Sequence, residues 1–343
     1  MPNIIGMFLL IYGLIGCSRL NTLNLENHQF GEKPTIIVWY QIAGFSMEHL
    51  AMLRFGLGDV NTRTAMEEAS CVGDAWNYNL YNLRPDPFSG FFTQLVGDAN
   101  VKNTCEDFRQ TPLWEYINPN GLPTGMIESG TDATNSMEKS WDCGEDSQKF
   151  REKLTLWKMA KMSGKSRPEF HYQAKEDYKP DEIYYDKSCQ VGGCYASLSN
   201  NIEALYKNYS KGRIRFVFIV RDFSYYKALM NKNVSEAREI LSDLEKSFRV
   251  FIKMTETQKD LLVLFSSSAA YNFEFPKQGT EWAEFEKKGG AIIYRNSSLM
   301  SPVLAKGPAS ENFCGVYQES EIMQRFLWLP KPRKLSVNPL DWF

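Results

Sequence analysis

Between Ile214 and Phe265 the chain reads as strand, long helix and strand, and this order narrows its folding options more than any other feature. Ile214-Arg-Phe-Val-Phe-Ile-Val220 and Leu261-Leu-Val-Leu-Phe265 are apolar runs rich in β-branched and aromatic residues, the pattern of strands buried on both faces. Between them Ala237, Ile240, Leu241, Leu244, Phe248, Phe251 and Ile252 recur at helical spacing along one face, which predicts a helix over 234–257. Asn233 followed by Glu236 has the spacing of an N-cap and its third helical residue.

The same alternation runs through the rest of the chain. Thr35-Ile-Ile-Val-Trp-Tyr-Gln41 reads as a buried strand, Ala43-Gly44 as a turn, and Ser46 as the cap of a helix reaching Phe55. Residues 56–123, rich in Asn, Gly, Pro and Asp, read as loops with short helices. A strand is expected over 124–128 and helices over 131–141 and 147–162. The polar stretch 163–194 reads as an insertion or cap. Helical spacing returns at Ile202, Leu205 and Tyr206, and Ala291–Tyr294 and Pro302–Ala305 are two more strands. Strands alternating with helices indicate a three-layer α/β/α sandwich with a mostly parallel central sheet. One such domain would occupy 34–330, followed by a tail at 331–343.

The amino terminus addresses the compartment. Ile4 to Ile15 is an apolar run shorter than the roughly 20 residues a bilayer-spanning helix needs. It ends in Leu14-Ile15-Gly16-Cys17, which resembles a bacterial lipobox. That resemblance implies a signal peptide at 1–16, a lipid such as palmitate on Cys17, a polar tether over 17–33, and, with Ser18 next, sorting to the outer membrane. Six further cysteines follow: Cys71, Cys105, Cys143, Cys189, Cys194 and Cys314. An even number in an exported chain suggests disulfides, with 15 possible pairings. Cys189-Gln-Val-Gly-Gly-Cys194 is the best local pair, its two glycines permitting a tight loop. A formal net charge of −2 leaves no electrostatic footprint for nucleic acid.

The run from Ser301 to Ile322, with its Gly307-Pro308 turn, resembles the last strand, turn and closing helix of the alkaline phosphatase superfamily. The likeness covers 213–328 and, less fully, 35–55 and 124–141. Active members of that family hold two zinc ions with Asp and His, activate a Ser or Thr nucleophile, and place magnesium nearby. Metals serve this chemistry because phosphoryl transfer is mostly positioning and charge neutralisation.

Carried over position by position, the resemblance implies a depleted centre. The family's first Asp falls on Gln41 or Ala43. Its Asp-Ser-Ala nucleophile segment has Ala69-Ser70-Cys71 as counterpart, which makes Ser70 a candidate nucleophile. Thr131-Asp132-Ala133-Thr134 matches the Asp-Ala-Thr element of the magnesium site. Asp222 keeps the acid after the second strand, but Tyr226 stands where the His four residues later belongs. Thr-Ala-Asp-His becomes Ser266-Ser267-Ser268-Ala269, and the final zinc histidine becomes Asn296. The chain has three histidines, His28, His49 and His171, and none occupies a ligand position.

Ser70, Asp132 and Asp222 are therefore the catalytic candidates, no metal ligand set is complete, and no zinc or magnesium cofactor is expected. The expected function is that of a lipid-anchored envelope protein without catalysis, whose crevice binds a small molecule or an envelope partner or serves the structure. The alternative is a phosphate- or sulfate-ester hydrolase with a rebuilt centre, using Ser70 or Cys71 with Asp74, Asp132, Asp222 or His49.

Overall fold

The computed structural model describes residues 31–57, 63–78, 86–97, 101, 122–131, 135–138, 154–161, 182–185, 197–287 and 298–327. Among these residues nine strands form one sheet: β1 (Ile36–Ala43), β2 (Cys71–Trp76), β3 (Thr124–Ser129), β4 (Leu154–Lys161), β5 (Glu182–Tyr185), β6 (Phe216–Asp222), β7 (Leu261–Ser268), β8 (Met300–Lys306) and β9 (Gly315–Gln318). Their spatial order is β5-β4-β3-β6-β1-β7-β8-β2-β9. Only β8 runs against its neighbours, β7 and β2; all other pairings are parallel. The mostly parallel α/β/α sandwich expected from the alternation is therefore the fold observed.

Burial on both faces explains the strand compositions. Ile36, Val38, Tyr40 and Ile42 of β1 enter one core layer, while Ile37 and Trp39 enter the other. The first layer is covered by α1 (Leu50–Leu57), α3 (Leu198–Tyr209), α4 (Ser224–Met230), α5 (Val234–Thr257) and α6 (Trp282–Lys287). The second is covered by α2 (Pro87–Val96) and α7 (Ile322–Leu327). The long helix α5 has the predicted bounds and cap, with Glu236 N donating to Asn233 Oδ1 at 3.1 Å. Its buried stripe includes each of the seven predicted face residues.

Four local expectations give way to tertiary structure. The stretch expected to be helical over 147–162 holds β4, whose Leu, Met, Lys and Ala favour helix intrinsically. Its register with β3, from Thr124 opposite Leu154 to Ser129 opposite Met159, and the packing of Trp157 on Tyr209 and Phe218 override that preference. Within the loop-rich 56–123 lies β2, where the buried residues Cys71, Gly73 and Ala75 are too small to give an apolar signal. Within the supposed cap 163–194, β5 pairs with β4 and extends the sheet edge. Among the described residues of 131–141, positions 135–138 form a turn. The strand expected at 291–294 and the tail 331–343 lie outside the described residues.

Cys71, at the start of β2, is joined to Cys314, just before β9, with Cα atoms 5.2 Å apart. That spacing suits a disulfide. Cys17, Cys105, Cys143, Cys189 and Cys194 lie outside the described residues, as do His28 and His171.

Candidate functional site

Parallel sheets bind ligands beyond the carboxyl ends of their strands, so that edge is where a site is expected. Two polar rows cross the sheet there. Glu128, Arg221, Gln41 and Ser266 are register partners on the four adjacent strands β3, β6, β1 and β7. They share the α2 face, following Met126, Ile219, Trp39 and Leu264 of the same core layer. One residue further on, Ser129, Asp222, Ile42 and Ser267 form the second row, facing α5.

The first row is hydrogen-bonded internally. Arg221 Nε donates to Gln41 Oε1 at 3.0 Å, and its Nη1 lies 3.5 Å from Glu128 Oε1. Glu128 also accepts from Ser136 Oγ at 2.6 Å and Met137 N at 2.9 Å. Ser266 receives the Trp39 indole N–H at 2.8 Å and donates to Gln94 Oε1 at 2.7 Å. Gln94, from α2, also donates to the Ser267 carbonyl at 3.0 Å and to Glu319 Oε2 at 3.3 Å. Burial lowers the Arg221 pKa to about 10, against the pull of Glu128, and raises that of Glu128. The pairing and the neighbouring donors offset these desolvation costs only in part, and Arg221 Nη2 is buried without a hydrogen-bond partner.

α2 is held with its amino terminus over this edge. Asp86 caps it by accepting from Ser89 N at 2.8 Å, Pro87 occupies the first turn, and Gly97 ends it in the left-handed region at φ 74°. Gly90 lies so close to the last residue of β7 that a Cβ there would stand 1.7 Å from Ser268 Oγ and 2.9 Å from Glu319 Oε1. Glu319 is 3 % exposed. Burial pushes its carboxyl up to about 8, against the effect of Gln94 and the Ser268 hydroxyl and with further help from Asp86.

The family positions can now be placed. Asp222 ends β6 at this edge, but its carboxylate accepts from Ser224 Oγ and, at 2.8 Å, from Tyr225 N, so it caps the entry to α4. Its pKa is raised by burial, which these donors offset. Tyr226 packs its ring on Gly44, directly after β1. Ser268 ends β7, and Ala269 just after it has the left-handed φ of 53°, uncommon for a residue with a Cβ. Ser70 precedes β2, where its N–H donates to Ala305 O at 3.0 Å. Through β8, Cys71 is level with Leu264 and Gly73 with Ser266, so Ser70 lies roughly 10 Å short of the carboxyl-edge row along the strands and on the far side of β8 from β7. Cys71 is in the disulfide beside it. The candidate pairings of Ser70 or Cys71 with Asp222 are thus not brought together. Asp132 and Asn296 lie outside the described residues; Ser298, two positions after Asn296, donates its N–H to Ala270 O at 2.7 Å.

His49 is buried behind the edge among aromatic rings, stacked on Phe273 at 4.8 Å. Its Nδ1 contacts Tyr225 Oη at 2.7 Å and Ser46 N at 3.3 Å. Desolvation lowers its pKa to about 3, so it is neutral at physiological pH. Among the described residues no group of three or more His, Cys, Asp or Glu side chains is arranged to hold a metal.

The residues that knit this edge, Gln94, Arg221, Glu128 and Glu319, are not singled out by motif. Their signal is polarity inside apolar runs: Gln94 interrupts Phe91-Phe92-Thr93-Gln94-Leu95-Val96, and Arg221 closes Phe216-Val-Phe-Ile-Val.

Comparison with solved structures agrees with the fold. The alkaline phosphatase of the Antarctic bacterium TAB5 superposes with a TM-score of 0.59 at 14 % identity, over 87 % of this chain and 99 % of that one. That of Thermus thermophilus gives 0.61 at 10 % identity, over 90 % and 94 %. A cold-active alkaline phosphatase from Shewanella sp. gives 0.61 at 12 %, over 86 % and 100 %. No family model and no curated protein sequence matches the chain.

Proposed function

We propose that this alkaline-phosphatase-like fold serves as a lipid-anchored envelope protein whose carboxyl-edge crevice no longer carries out metal-dependent ester hydrolysis and instead binds a small molecule or an envelope partner. The observation that carries the reading is the pair Tyr226 and Asp222. The tyrosine that replaces the family's histidine packs its ring against the turn after β1, and the one retained zinc carboxylate is engaged in capping α4. The zinc and magnesium ions that the fold family implies therefore do not fit the described residues, because a zinc site needs at least three free N, S or O ligands from the protein. Ser268 and Ala269 supply no such ligand, and Gln41 is spent on Arg221.

The amino end of α2 supports the same reading. Its capping turn, Asp86-Pro87-Phe88, brings an acid to these strand ends with no hydroxyl at the next position. Anchoring through a lipid on Cys17, at the outer membrane, rests on the lipobox-like Leu14-Ile15-Gly16-Cys17. Among the described residues no helix is long and apolar enough to cross a membrane.

One observation favours the alternative of an ester hydrolase with a rebuilt centre: Glu319, with a carboxyl poised near 8, beside the Ser268 hydroxyl. A carboxyl still protonated at neutral pH beside a hydroxyl can serve as a general acid, and as a general base once ionised above about pH 8. Turnover of phosphate and sulfate monoester panels by the purified chain, with and without zinc and magnesium, separates the two. Rates at the uncatalysed background support the binding role. Saturable turnover abolished by Ser268→Ala would establish the hydrolase.

A further inference from the structure

The amino edge of the sheet, opposite the carboxyl edge, carries its own chemistry. It is built from the turns at 31–35, 210–215, 258–260 and 306–311, which meet at the amino ends of the strands. Thr35 N and Ile36 N both donate to Asp260 O at 3.2 Å, and Phe216 N donates to Thr35 O at 3.2 Å. Lys306 is the register partner of Val263 near the start of β7. A Cβ on Gly31 would stand 2.9 Å from Ala309 N, so the chain enters the fold at this same edge.

Ile214 projects from it. It is 83 % exposed, the most exposed of the large hydrophobic residues described. It lies in the turn Ser210-Lys-Gly-Arg-Ile-Arg215, in which Lys211, Arg213 and Arg215 are exposed and no acid occurs. Arg213 lies over the Tyr209 ring, 4.2 Å from its centroid, and donates to the Tyr209 carbonyl, which holds the turn outward. In the neighbouring turns Lys33, Lys259 and Lys306 are matched by Glu32, Asp260 and Glu311, so the surplus positive charge is concentrated around Ile214.

We propose that this amino edge docks on an anionic phospholipid surface, with Ile214 entering the interface and Lys211, Arg213 and Arg215 meeting the headgroups. An apolar tip ringed by basic side chains has the chemistry of an interfacial anchor, combining apolar burial with attraction to anionic lipid. The charge and apolar tip of the turn select the occupant, and the place where the chain enters the fold is consistent with it. An anchor on Cys17 would join the fold at Gly31, on this edge, through a stretch that spans at most about 50 Å even when fully extended, so the bilayer lies within reach of this edge. In this respect the proposal builds on the anchored reading above. Docked in this way, the carboxyl edge lies on the far side, facing away from the membrane.

The test is flotation of the full chain carrying Cys17→Ala with vesicles of phosphatidylcholine plus phosphatidylglycerol, and with phosphatidylcholine alone. The parent is expected to prefer the anionic vesicles. Lys211→Glu, Ile214→Ser and Arg215→Glu together should cut that preference more than tenfold, since each basic residue near a charged surface contributes roughly fivefold. The matched reversal Lys227→Glu with Lys246→Glu should leave it within twofold. Equal partition of the parent between the two vesicle types, an unchanged preference in the loop variant, or an equal loss in the matched control would each overturn the proposal. The mass of the peptide bearing Cys17 from native chain tests the anchor separately. Loop-dependent flotation without lipid on Cys17 keeps the docking and removes the anchor. A lipidated Cys17 with loop-independent flotation does the reverse.

Discussion

The Tyr226 ring occupies the space that any side chain at position 44 would need: a Cβ on Gly44 would stand 2.7 Å from Tyr226 Cδ2. Gly44 is also in the left-handed region, at φ 77°. Gly44→Ala therefore combines a backbone cost of about 1–2 kcal/mol with a steric clash. Urea denaturation should show a loss of at least that size. Tyr226→Ala in the same background should recover only the steric part.

Stability should depend on pH through Glu319. Its folded pKa, about 8, lies above the ordinary 4.5, so the folded state holds this proton where the unfolded state has released it. The contribution is present below about 4.5 and is lost as pH rises through about 8. Glu319→Gln, which stays neutral, should flatten this part of the profile and melt higher than the parent at pH 8.5. Thermal melts across that range read it directly, and parallel profiles for the two proteins would contradict it.

Arg221 and Glu128 are 1 % and 0 % exposed at the side chain, so either alone is a buried charge without its main counter-ion. Arg221→Met should cost about 3–5 kcal/mol, the usual penalty for breaking a buried pair. Glu128→Gln added to it should cost less than the sum of the two single changes. A double-mutant cycle by denaturant unfolding measures the coupling.

The Cys71–Cys314 bridge ties the start of β2 to the turn before the edge strand β9 across a sequence separation of 243. Cys314→Ser should lower stability by about 2–4 kcal/mol. Peptide mapping under non-reducing conditions should recover the two cysteines in one linked fragment.

The parts of the fold legible in the sequence were those written as strong periodicity. The bounds of α5 and the buried strands β1, β6, β7 and β8 follow from apolar runs and one cap. Less legible were elements whose inward positions are small, such as Cys71, Gly73 and Ala75 of β2, and β4, whose residues favour helix until β3 and Tyr209 are beside them. At the site, the resemblance identified the positions that change chemistry, and Asp222, Tyr226 and Ser268 do end strands or open helices at one edge. Ser70 does not join them, because a lone hydroxyl near a cysteine carries no information about where along the sheet, or on which strand, it falls. The buried polar row was hidden for a different reason: Gln41, Glu128, Arg221 and Ser266 come from four strands far apart in sequence, and only register makes them neighbours.

Zinc stoichiometry tests the central claim most directly. Purified full-length chain equilibrated with excess zinc, freed of unbound metal and measured by elemental mass spectrometry, is predicted to retain well below one zinc per chain. Retention of about two per chain, the complement of a two-metal hydrolytic centre, would contradict the account.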